Sequence, residues 1–99
     1  MTRSIFSRRW AAAEMQTLVR EMRGIPLWQL REYLQEMGGT AVDDHLVRAT
    51  GWLVHLKQME PFRLGSLVVG QTRLEIEIED QLADEFIRQF SKKTLRAGG

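Results

Sequence analysis

Apolar and polar residues alternate strictly from Thr72 to Glu79. Leu74, Ile76 and Ile78 fall on one side; Arg73, Glu75, Glu77 and Glu79 fall on the other. A period of two is the mark of a strand with one buried and one solvated face. Leu46–Ala49, Trp52–Gln58 and Phe62–Val69 also read as strands. In the second of these Trp52, Val54 and Leu56 share a face opposite Leu53, His55 and Lys57. The turns between them are expected at Thr50-Gly51, at Glu60-Pro61 and at Gly70-Gln71, the last with glycine in the first turn position. Gly65 inside the third strand is expected to permit a bulge or a close backbone approach. Thr40–Asp44 reads as a polar connection. Thr17–Arg23 reads as an earlier strand, with Leu18 and Met22 opposite Val19, and it is broken at Gly24.

Two stretches change to helical spacing. Leu27, Leu30, Leu34 and Met37 recur at that spacing with Tyr33 beside them. Pro26 suits the first turn, where its missing N–H would have no partner in any case. Gly38-Gly39 stops the helix, one of the pair adopting the left-handed conformation. Near the end of the chain Leu82, Phe86 and Phe90, with Ala83 and Ile87, form a second stripe. Asp80 is placed to cap that helix, Asp84 and Glu85 lie near its positive end, and Arg88, Lys92 and Lys93 lie toward its negative end. The order predicts an α+β domain, β-α-β-β-β-β-α, with an antiparallel meander. Each helix has one apolar stripe to bury, so both are expected on the same face of the sheet. The other face is left partly open and carries Glu75, Glu77 and Glu79. The expected divisions are a basic, flexible arm over 1–16, one domain over 17–96 and a flexible glycine-rich end over 97–99.

Ninety-nine residues suffice for a single core, burying roughly 60–65% of the unfolded surface. No run approaches the ~20 apolar residues of a membrane span, so no membrane association is expected. The absence of cysteine excludes disulfides, thiolate nucleophiles, cysteine-ligated zinc and iron–sulfur clusters, and it fits a cytoplasmic protein. No apolar signal-peptide core follows the start, so export is not expected. The net charge of +1 favours no polyanion, but the charges are unevenly spread. Residues 1–23 carry five Arg against two Glu, residues 61–85 six acids against two Arg, and residues 86–99 four bases and no acid. Ile5, Phe6 and Trp10 interleave with the first arginines, a pattern shared by amphipathic contact arms and by loosely held termini; the second is expected.

No catalytic constellation emerges. His45 and His55 fall in one hairpin near Asp43, Asp44 and Glu60, but their spacing matches no zinc signature. Ser4, Ser7, Ser66 and Ser91 lack a His–acid pattern. Glu75, Glu77 and Glu79 read as a solvated ladder paired across strands with Arg63, Arg48 or Lys57. An acidic ladder also argues against nucleic-acid binding there. The expectation is therefore no enzyme, no metal and no cofactor. Trp28 and Trp52 read as core or rim residues, although an exposed tryptophan would mark a contact surface. The terminal Gly98-Gly99 is the ending that ubiquitin-like carriers use to thread an adenylating enzyme. Those carriers run β-β-α-β-β, unlike the order read here, so a frayed helix end is expected. Candidate interaction residues are thus Trp28, Glu75, Glu77, Glu79, Gly98 and Gly99. A first sheet strand with an open edge could also pair with a second copy to make a homodimer.

Particular runs carry a resemblance. Pro26-Leu27-Trp28, Tyr33-Leu34-Gln35-Glu36 and Gly38-Gly39-Thr40 make one series. Glu60-Pro61, Leu64-Gly65-Ser66-Leu67 and Arg73-Leu74-Glu75-Ile76-Glu77 make another. Together, over Thr17 to Gly99, they resemble the C-terminal domain of MoaD-related proteins, an uncharacterised domain that follows a ubiquitin-like module similar to the small subunit of molybdopterin synthase. The resemblance implies a β-α-β(4)-α fold of TATA-binding-protein-like type. The ubiquitin-like module is not found in this sequence, so no carrier or catalytic residue is transferred. The implied function is a small interaction domain near molybdenum-cofactor biosynthesis or sulfur transfer. Its implied partner is a ubiquitin-like sulfur carrier or a molybdenum-cofactor enzyme. The competing reading is a ligand-binding domain with a pocket between sheet and helices.

Overall fold

A computed structural model describes residues 14–98. The basic segment expected over 1–16 falls almost wholly outside these residues, as does Gly99. The described chain is α+β: one five-stranded antiparallel sheet and two helices. In chain order the elements are β1 (Met15–Arg23), α1 (Leu27–Glu36), β2 (Thr40–Asp43), β3 (Leu46–Ala49), β4 (Trp52–Leu64), β5 (Leu67–Glu79) and α2 (Asp80–Gly98). The sheet order is β1-β5-β4-β3-β2. The connection through α1 therefore carries the chain from one edge of the sheet to the other.

Alternation sets the two faces. Val54, Leu56, Leu74, Ile76 and Ile78 are buried on one face, where Leu30 and Leu34 of α1 and Ala83, Phe86 and Phe90 of α2 complete a single core. Trp52 meets Phe86 edge-on at 5.0 Å between ring centroids, and Phe86 stacks on Phe90 at 6.0 Å. Both helices thus cover the same face.

The pair Gly38-Gly39 ends α1 by two separate means. Gly38 has φ +104°, which favours glycine, and its N–H donates to Gln35 O while the N–H of Gly39 donates to Leu34 O. These are the two bonds of a Schellman cap. At Gly39 the constraint is space: a Cβ would come within 2.6 Å of Val47 Cγ1 and 2.7 Å of the Trp52 ring.

Three expectations are corrected. Thr40–Asp43 is an edge strand paired with β3, not a connection. It is too short, and too polar at Thr40 and Asp43, for alternation to reveal it. Trp52–Gln58 and Phe62–Val69 are not separate strands. Glu60-Pro61 makes no turn; those two residues lie opposite Gly70 alone, between the pairs Met59↔Gln71 and Phe62↔Val69. This is a bulge, a position that tolerates a residue without an N–H. The hairpin turns instead at Gly65-Ser66, flanked by the pair Leu64↔Leu67, with positive φ at Gly65 only, as in a type II′ turn. Gly70 stays in β5.

The β4–β5 hairpin consequently runs past the end of β1 and projects as a two-stranded arm. Arg23 ties down its root: the guanidinium lies 3.8 Å from the centroid of the Phe62 ring, and Nε donates to Gln71 Oε1. The molecule measures 63 × 23 × 20 Å.

Candidate functional site

The face of the sheet away from the helices is open and bears the acidic ladder. Register places Val19 of β1 and His55 of β4 on either side of Glu75, and Thr17 and Leu53 on either side of Glu77. Glu77 is exposed, while Glu75 and Glu79 are half-buried. The cross-strand partners expected at Arg63 and Arg48 are corrected. Arg63 pairs with Val68 out on the arm, and Arg48 lies opposite Leu53, a strand away from Glu77. The cation that serves Glu75 is Arg73, two residues earlier on the same face of β5. Its Nε donates to Glu75 Oε2 at 3.0 Å, and its Nη1 lies 3.4 Å from Glu21 Oε2 on β1.

The Arg73 hydrogen bond holds the Glu75 carboxyl below the usual carboxylate range. Partial burial opposes this; the charges of Lys57, Arg73 and His55 reinforce it. A shallow cleft of about 400 Å³ on this face is lined by His45, His55, Leu56, Lys57, Glu75 and Glu77. The two histidines therefore share one surface, as their common hairpin implied. Among the described residues no three His, Asp or Glu side chains converge as a metal-binding group.

A second cleft, also about 400 Å³, opens on the helix side of the sheet where α1 begins. It is walled by Gly24–Trp28 and by Gln58, Gly70 and Thr72. Trp28 is 53% exposed at its rim, whereas Thr72 is 1% exposed and its hydroxyl has no hydrogen-bond partner among the described residues. Thr72 was not among the residues singled out from sequence. The available signal was its place in the alternation: it occupies the core-facing position two before Leu74, where an apolar residue belongs.

The structure thus brings Glu75 and Glu77 into one surface with His45 and His55, and separates them from Trp28 across the sheet. Gly98 is the last residue of α2, at the far end from Glu79, where that helix begins. Among the described residues no helix is long and apolar enough to cross a membrane.

None of the curated proteins compared matches this chain. Residues 18–99 match the family described as Archaeal MoaD-like protein. That span starts within β1 and takes in every later element of the fold; the chain belongs to the archaeal MoaD-like protein family.

Proposed function

We propose that this protein is a small, non-enzymatic cytoplasmic interaction domain serving molybdenum-cofactor biosynthesis or sulfur transfer. Its partner is a ubiquitin-like sulfur carrier of the kind that precedes such domains in MoaD-related proteins, or an enzyme of the cofactor pathway. Family membership across residues 18–99 carries this reading. The TATA-binding-protein-like arrangement belongs to the same proposal, supported by the order β-α-β-β-β-β-α.

The contact surface is the open sheet face around Glu75, Glu77 and His55. A binding role suits it better than catalysis. A general acid needs a carboxyl with a raised pKa, and Arg73 moves Glu75 in the opposite direction. The face carries both signs, Glu75 and Glu77 beside Arg48, Lys57 and Arg73, and a charge pattern of this kind sets the register of a protein partner.

The test is a pull-down from source lysate with an N-terminal tag that leaves the Gly99 carboxylate accessible, read by mass spectrometry. Capture of a ubiquitin-like carrier or a molybdenum-cofactor protein, lost when Glu77→Lys reverses the charge at the exposed member of the ladder, supports the proposal. Recovery of background proteins or of further copies of this chain alone counts against it.

A further inference from the structure

We propose that the cleft at the start of α1 is a binding site for a small carboxylate with an apolar body. The proposal is independent of the interaction surface, which lies on the opposite face of the sheet.

Two observations meet in this cleft. The first is the beginning of α1. The ten-residue helix opens at Pro26 with no side-chain cap, and its first turn carries no acidic residue. Pro26 has no N–H, and its carbonyl accepts from Gln29 and Leu30. Among the described residues the N–H groups of Leu27 and Trp28 have no acceptor. Unpaired first-turn amides at the positive end of the helix dipole attract a negative group. The second observation is Thr72. A hydroxyl buried without a partner is costly, and native structures retain few of them. Thr72 lines the same cleft.

The remaining walls define the ligand. Among the described residues no ionisable side chain lines the cleft, so a dianionic phosphate would find no cation there to offset its charge. A monoanionic carboxylate asks for fewer donors, and two amides and one hydroxyl supply them. Ile25, Pro26, Leu27 and Trp28 provide apolar surface for the remainder of the molecule. This division, a few placed polar groups in a largely apolar wall, is usual for small-molecule sites.

The test is a titration of the full chain with sodium butyrate, followed by ¹H–¹⁵N NMR, with butyramide as the neutral control and inorganic phosphate as the competing anion. A ligand of this size is expected to bind in the millimolar range. The expected result is saturable shifts at the Leu27 and Trp28 amides with butyrate and none with butyramide. Thr72→Val keeps the shape and removes an unpartnered hydroxyl, so its melting temperature is expected to be unchanged or raised. Its affinity for butyrate should fall by about tenfold or more, since hydrogen bonds to a charged group are the stronger kind. Three outcomes overturn the proposal. One is no saturable shift up to about 50 mM butyrate, far above that range. Another is equal binding by Thr72→Val, which would leave the hydroxyl to an enclosed water. The third is saturation by phosphate but not by butyrate.

Discussion

Arg73 and Glu75 lie two residues apart on one strand, so the pleat itself puts them on the same face, and each is held between neighbours on β1 and β4. The consequence is a pH dependence of definite sign. The pKa of Glu75 in the fold lies below its unfolded value. Its stabilising contribution is therefore complete above the unfolded pKa and is lost as pH falls through the folded one. Arg73→Ala removes the leading cause of the depression, and the Glu75 titration should move back up toward the ordinary carboxylate range. NMR titration of the side-chain carboxyl measures this directly. The variant should lose stability at neutral pH, and the loss should shrink in acid. A Glu75 midpoint unmoved by the substitution would exclude Arg73 as the cause.

At the scale of elements, α2 is held by its apolar stripe and only incidentally by its charges. Phe86 and Phe90 are 4% and 3% exposed, while the ion pair from Lys93 to Glu36 of α1, at 2.7 Å, joins two partly solvated groups. Phe90→Ala is expected to cost about 3–5 kcal/mol and Lys93→Ala less than about 1 kcal/mol, measured by urea denaturation. Comparable losses would mean that the helices are clamped by charge. The same distinction explains what could be read from sequence. Helix α1, helix α2 and the core half of β5 stand out because one-sided burial imposes a period, and the ladder at Glu75, Glu77 and Glu79 comes with β5. The β4–β5 hairpin does not stand out. Pro61 and Gly70 carry the same backbone preferences at a bulge as at a turn, and only the register of the partner strand separates the two. Thr72 escaped for a related reason: alternation locates a core position but does not tell whether a polar residue there has a partner.

At the scale of the whole molecule, the radius of gyration is 15.9 Å, against about 13 Å for a compact chain of this length. The excess comes from the arm. β4 and β5 are covered by helices and flanked by β1 and β3 over their Trp52–Leu56 and Leu74–Ile78 portions. Beyond Gly24, whose N–H still donates to Gly70 O, they have only each other among the described residues. Leu64, Leu67 and Val68 are 65%, 57% and 50% exposed there, and Phe62 is kept in place by Arg23. A two-stranded ribbon without a covered face is marginal in water, so it opens without the rest of the domain having to unfold. Amide hydrogen exchange should then show a gradient along a single hairpin. Amides of Phe62–Leu64 and Leu67–Val69 should exchange by local opening, while those of Val54, Leu56, Leu74 and Ile76 exchange near the rate of global unfolding. Arg23→Ala should steepen the gradient by releasing the root and leave core protection nearly unchanged. If the arm instead exchanged as slowly as the core in a concentration-dependent way, its apolar tip would be covered by a second copy. The exposed leucines would then belong to an interface between copies of this chain.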